Sequence, residues 1–163
     1  MEKILFEEKQ YFRQWWLILL FVLIVGIFLY GIVKQVILGI PFGNNPMHNY
    51  GLILVTTIMI IVCLAIFFMN LETKITNIGI YVKFSPLVLN YKFFSWNDVA
   101  KWEIIKYHPV RDYGGWGIRG TKKNRVYNVF GKYGLYLIFK NGDTMLVGTN
   151  EPDKLKKQLE TKN

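Results

Sequence analysis

The stretches WWLILLFVLIVGIFLYGIV at 15–33 and YGLILVTTIMIIVCLAIFFM at 50–69 decide how this chain is read. They run for nineteen and twenty residues without a charged side chain. At 1.5 Å per residue each makes a helix about 28–30 Å long, the thickness of a bilayer's hydrocarbon core. Inside lipid every backbone N–H and C=O must be satisfied within the segment, so such runs cross only as helices. A chain of 163 residues is too small to enclose both as buried helices of a soluble core. A cleaved signal peptide does not fit the first run, which is too long, lacks a small-residue cleavage site and precedes a second span. The organisation expected is an N-terminal segment at 1–14, a transmembrane hairpin at 15–69 and a domain at 70–163. Within the hairpin the helices fall at 15–38 and 50–69, with an outer loop at 39–49.

Charge orients this arrangement. The formal charge is +9, and residues 70–163 hold sixteen Lys/Arg against eight Asp/Glu, whereas the loop at 39–49 holds none of the four. Lys and Arg resist translocation, so both termini are expected in the cytoplasm and the loop outside. Trp15 and Trp16 suit the inner aromatic belt, Tyr50 the outer one, and Lys34 can reach the outer headgroups. The single cysteine, Cys63, reads as a small apolar residue of the second span. Gly26 in the first span, and Thr56 with Cys63 in the second, are the positions expected to let the helices approach closely. No charged group lies within either span, which argues against a transport pathway through the hairpin. Residues 2–14 contain good helix formers and no breaker, so they are expected to extend the first span as a helical turn or two.

After Met69 the pattern changes to short alternating segments. Strands are expected at 71–76, 80–85, 87–94, 99–106, 126–130, 135–140 and 144–147. The first two are joined by Asn77-Ile78-Gly79, with Gly79 expected in a left-handed conformation, and the last two by Asn141-Gly142-Asp143, a strong hairpin signal. A Gly-rich interruption occupies 109–118. At the end, Thr149 or Asn150 caps a helix whose first turn is acidic and holds Pro152, and Leu155 and Leu159 give it one apolar stripe. About seven strands followed by one helix read as a small, mainly-β barrel or sandwich closed by a C-terminal α-helix.

Three stretches carry a resemblance. Ser95-Trp96-Asn97-Asp98-Val99 looks like the turn leading into the fourth strand of the bacterial pleckstrin-homology-like (PH-like) domains. Tyr113-Gly114-Gly115-Trp116-Gly117-Ile118-Arg119 is similar to a loop of theirs, and Gly148-Thr149-Asn150-Glu151-Pro152 with Leu155 and Leu159 to the start of their closing helix. Two N-terminal spans ahead of one such domain, with Phe6-Glu7-Glu8-Lys9-Gln10 before Trp15-Trp16, also resemble uncharacterised membrane proteins of that family. The resemblance implies an architecture and a membrane location, and no reaction, because a PH-like fold hosts lipid, peptide and purely structural roles.

Nothing in the residues amounts to catalytic, metal or cofactor machinery. His48 and His108 fall on opposite sides of the expected membrane, and no His, Cys or carboxylate pair has metal-ligand spacing. Ser95, His108 and Asp112 can be drawn as a triad, but no nucleophile elbow surrounds Ser95. Tyr113-Gly114-Gly115 does not open a helix, as phosphate cradling there would need. The candidate contact residues are Trp116, Arg119, Lys122, Lys123 and Arg125. Trp116 is expected to fold over an apolar edge of the barrel while its glycines make room, the alternative being a surface anchor together with Arg119. Four cations between 119 and 125 suit either a solvated hairpin tip or the anionic headgroups of the inner leaflet. Nucleic acid is not expected as a partner. The function expected is therefore that of a non-enzymatic, multi-pass protein of the plasma membrane presenting a PH-like interaction or assembly domain to the cytoplasm. Its partners are the bilayer and either a protein or further copies of itself. The alternative is an accessory subunit held in a larger complex by its hairpin.

Overall fold

The computed structural model describes residues 2–161; the outermost ends of the segments expected at 1–14 and 70–163 lie outside them. The chain divides into two units: one is Arg13–Phe68, and the other combines the residues up to Phe12 with those from Met69 on.

The first unit is a helical hairpin. Helix α1 covers Trp15–Ile32 and continues in π-helical turns over Val33–Ile37; α2 covers Asn49–Phe67. Both are long and apolar enough to cross a membrane. Of α1 only Gly31 is buried, and of α2 only Leu52, Thr56 and Cys63. A soluble core helix would bury far more of its side chains, so this exposure suggests insertion in lipid. Thr56 and Cys63 do sit in the hairpin's seam, and the Thr56 hydroxyl is satisfied by donating to the Leu52 carbonyl at 2.7 Å. Gly26, by contrast, faces open space, and the close approach falls at Gly31, where an added Cβ would lie 2.8 Å from the Phe42 ring. Gln35 organises the loop: its Nε2 donates to the Met47 carbonyl and to Asn49 Oδ1, and its Oε1 accepts from Phe42 N.

Among the described residues the second unit holds nine strands in two sheets. Strands β1 (Ile4–Tyr11), β2 (Asn70–Thr76), β3 (Gly79–Ser85) and β4 (Val88–Ser95) form an antiparallel sheet in that order. The other sheet contains β5 (Val99–Lys106), β6 (Gly117–Gly120), β7 (Asn124–Asn128), β8 (Tyr133–Phe139) and β9 (Thr144–Thr149), in the order β5-β8-β9-β7-β6. All its pairings are antiparallel except β7 with β9. A five-residue helix, α3 (Pro109–Tyr113), follows β5, and α4 (Pro152–Glu160) closes the chain. The sheets face one another across a core built from Phe6, Leu71, Ile75, Ile80, Val82 and Phe84 on one side and Tyr127, Leu135, Leu137, Met145 and Val147 on the other, with Leu155 and Leu159 of α4 added. The two sheets do not close into a barrel.

The N-terminal segment departs most from its expected state. Residues 4–11 are not a helical extension of the first span but a strand, with partners running from Ile4 opposite Thr76 to Tyr11 opposite Asn70. Glu7, Glu8, Lys9 and Gln10 favour helix locally, but a free sheet edge overrides a preference of a few tenths of a kcal/mol per residue. Alternation turns Phe6, Glu8 and Gln10 inward. Both buried polar side chains bridge to the other end of the chain. Glu8 accepts from Thr149 Oγ at 2.6 Å and Asn150 N at 2.8 Å, and Gln10 Nε2 donates to the Gly148 carbonyl at 2.7 Å. The residue capping α4 is Glu151, whose side chain makes no capping bond and pairs with Lys154 instead; Thr149 Oγ accepts from Glu151 N. The expected cap is thus part of a Glu8–Thr149–Asn150 junction.

The outer face of the first sheet is stitched across all four strands. Glu72 on β2 pairs with Lys9 of β1 at 2.6 Å and Lys83 of β3 at 3.6 Å, and accepts from the Tyr91 hydroxyl of β4 at 2.6 Å. Burial alone would raise the Glu72 carboxyl, but bonds from Lys9 and Tyr91 outweigh it and hold it at about 2. Glu8 moves the other way: burial raises it above 4.5, and the bonds from Thr149 and Asn150 offset this only in part. A depressed carboxyl stabilises above its unfolded value, and that contribution disappears as pH falls through the folded value. Glu72 is therefore expected to stabilise the domain above about pH 4.5 and to cease doing so by about pH 2. Glu8 is expected to contribute most below 4.5, its share declining as pH rises through its raised value. Melting temperatures of Glu72→Gln and Glu8→Gln followed against pH check this: the first should flatten the acid limb and the second should steepen it. Parallel curves would refute the assignment.

Candidate functional site

The cation-rich turn begins with local geometry. Pro109 starts α3, and Gly114 ends it in a left-handed conformation with φ +70°. Gly115 and Gly117 also have positive φ, +123° and +109°. These glycines serve backbone conformation more than space, since nothing lies within 4 Å of a Cβ built on Gly114 or Gly117. Trp116 is half-buried and belongs to neither core cluster. The residue that covers the outer face of the second sheet is Tyr113, packed on Tyr107 with ring centres 5.7 Å apart. Arg119 is an internal clamp of the loop: its Nε donates to the Trp116 carbonyl at 3.0 Å, and its guanidinium lies over Gly115.

The candidate contact residues divide. Lys122 and Arg125 line a cleft of about 560 Å³ within the β unit; Trp116, Arg119 and Lys123 do not. The backbone explains the split. Arg125 alternates with Tyr127 on β7 and therefore shares its core-facing side. Lys123 lies in the β6–β7 turn, where its carbonyl accepts from Thr144 N at 2.8 Å. The cleft opens where the core between the sheets runs out, at the end of β9 away from the Thr149 junction. Phe94, Tyr127, Phe139 and Met145 supply apolar surface, with the Phe94 and Phe139 rings 5.8 Å apart. Lys92 and Lys140 complete the cationic rim.

Lys92 and Lys140 were not among the expected site residues. For Lys92 a signal exists in the sequence. It stands two residues before Phe94, so on an alternating strand a cation occupies a core-facing position. Lys140 adjoins the Asn141-Gly142-Asp143 turn, which forms as expected, with Gly142 at φ +83°. There Asn141 Nδ2 holds Asp143 Oδ2 at 2.9 Å, and Lys140 N donates to the Asp98 carbonyl at 2.8 Å. Asp98 and Asp143 also line the cleft, so four cations face two carboxylates. Among the described residues none of Lys92, Lys122, Arg125 and Lys140 has a carboxylate within ion-pair distance. This contrasts with the Glu72 cluster, where basic side chains on the outer face are paired. The Tyr127 hydroxyl is buried and has no hydrogen-bond partner among the described residues.

Ser95 and Asp112, two of the residues drawn as a triad from sequence, make local bonds. Asp112 Oδ2 accepts from the His108 backbone N at 2.8 Å, and Ser95 Oγ from Asn97 N, so both side chains serve local turns. The cleft is apolar within and cationic at its edge. No protein-family model, curated protein or solved structure matches this chain.

Proposed function

We propose that this chain is an integral membrane protein whose helical hairpin is inserted into the first β-hairpin of a PH-like domain, and that it presents that domain at the cytoplasmic surface as a non-enzymatic interaction module. One observation carries the reading: β1 and β2, which flank the hairpin in sequence, pair along their whole length, and Phe12 N donates to the Met69 carbonyl at 3.2 Å. The chain thus leaves the β unit and returns to it at one point, so both ends of the hairpin emerge on the same side of a bilayer. The PH-like assignment is supported by a four-stranded antiparallel meander, then the antiparallel set β5-β8-β9, then a closing helix. On this reading β6 and β7 are an added edge hairpin. The cytoplasmic side follows from the basic domain and the uncharged loop.

In a Cys63→Ala background, a cysteine at Asn45 is expected to react with an impermeant maleimide on intact cells. One at Asn141 is expected to react only after permeabilisation. The reverse pattern would overturn the orientation, and labelling of both would overturn the anchor.

A further inference from the structure

We propose that the outer face of β3 and β4 is where two copies of this chain meet in one membrane, packed face to face about a two-fold axis. The inference rests on the interaction-module reading, names its partner, and takes from it only the shared membrane.

Alternation puts Leu89, Tyr91 and Phe93 of β4 on the side of the sheet away from the core, and Tyr81 of β3 stands opposite Phe93. The rings form one cluster around Tyr81, whose centre lies 4.7 Å from that of Phe93 and 6.4 Å from that of Tyr91. Leu89 is 70% exposed and Phe93 46%. Single apolar side chains on a surface need no account, but four adjoining ones on the outermost strands of a sheet mark an interaction surface. The cluster is also fixed in place. The Tyr91 hydroxyl donates to Glu72 at 2.6 Å, and Lys74 and Lys83 lie over its ring. Aromatic surface already held in one conformation loses little entropy when it is covered.

Charge selects the occupant. The chain carries +9, so two copies repel over most of their surface. On this face three lysines meet three carboxylates: Glu72 pairs with Lys9 and Lys83, Glu7 with Lys74, and Glu2 accepts from the Tyr81 hydroxyl. An acidic partner gains nothing here, whereas an identical copy meets a face whose charges are already balanced. The tether acts in the same direction. Copies anchored in one bilayer with one orientation carry the face at the same height, and their effective concentration is raised.

The free backbone edge of β4 is not the joint. Lys92, turned to the core side, and the register shift between Val82 and Phe84 both guard that edge against an added strand. Lipid does not account for the face either. Phe93 is level with Tyr81, four residues along β3 from Ser85, and Ser85 is level with Asn70, where the chain returns from the hairpin. Four residues are about 13 Å of strand, so the rings are set well back from that point.

The test uses the full chain with Cys63→Ala and a single cysteine at Asn141, labelled in separate batches with donor and acceptor dyes. The two batches are reconstituted together at low surface density in phosphatidylcholine vesicles. Energy transfer is expected above the level of random neighbours, falling linearly as unlabelled chain is added, as an assembly of two requires. Phe93→Glu should weaken association by at least about tenfold. Leu89→Glu, at a more exposed position, should weaken it as well and covers the case in which Phe93→Glu melts early in an uncharged maltoside detergent. Lys157→Glu, on exposed α4, should leave it unchanged. Transfer no greater than that of random neighbours, or transfer that neither variant weakens, would overturn the proposal. In the first case, quenching of a bimane on Phe93→Cys by brominated lipid would assign the face to the bilayer, and no quenching would assign it to a different protein. Flotation with the vesicles is read first. A chain that does not float fails the membrane reading and not the face, which sedimentation equilibrium in maltoside then tests with the same variants; a monomer there overturns the proposal too.

Discussion

Deleting residues 2–11 is expected to unfold the β unit rather than trim it. Phe6 is 3% exposed and sits in the main core, and Phe6→Ala alone should cost about 3–5 kcal/mol through lost burial and the cavity left behind. Glu8→Ala strands the Thr149 hydroxyl and the Asn150 N–H, at about 1–3 kcal/mol for buried donors left unmade. The deletion also exposes the edge of β2 and removes the Gln10 bond to Gly148. Domains of this size have a total stability of about 5–15 kcal/mol, so the combined loss is comparable to the whole of it. A fragment beginning at residue 71 suffers the same fate, since it lacks β1. Thermal melts and limited proteolysis of the full chain in detergent, compared with the deletion, decide the matter. A deletion that melts cooperatively near the intact temperature would show that β1 is an accessory strand.

Gly79→Val is expected to be nearly as damaging, for a different reason. Gly79 opens β3 with ordinary extended backbone, so the connection from β2 is the two residues Asn77 and Ile78, and the left-handed glycine expected there is not present. What the position requires is room. A Cβ built on Gly79 runs into the Phe94 carbonyl and the Phe93 ring on β4. The carbonyl cannot turn aside without parting the strands, and overpacking of this kind costs about 3 kcal/mol or more for a branched side chain. Gly142→Val, at a turn where nothing lies within 4 Å, should cost only the strain of its positive φ. Denaturant midpoints for the pair test the distinction. If Gly79→Val proves the milder, close approach is not what the glycine supplies.

Length and local pattern already carried much of the architecture. An uncharged run of nineteen or twenty residues has one way to satisfy its backbone in lipid, and both runs are helices in the structure. Alternation located seven strands, because a half-buried strand writes its period of two into the chain. Asn141-Gly142-Asp143 and the Leu155/Leu159 stripe were legible for the same reason: a turn type and a helix face are properties of a few neighbouring residues. The candidate site was legible only in part. Lys122 and Arg125 stood out as a run of charge, but that run mixed two cleft residues with a loop clamp, Arg119, and a turn residue, Lys123.

What only the tertiary structure decided depends on residues far apart in sequence. The inward polar face of Glu8 and Gln10 has no apolar alternation to betray a strand, and its partners lie some 140 positions away. Two open sheets rather than a barrel, and the parallel pairing of β7 with β9, are choices between edges that no local segment contains. The cleft is of the same kind, with Lys92 and Lys140 brought to Arg125 by strands from both sheets. Hydrophobic periodicity is a local quantity, set by how one element meets solvent; pairing partners and unpaired charges are set by which surfaces remain once every element has found its place.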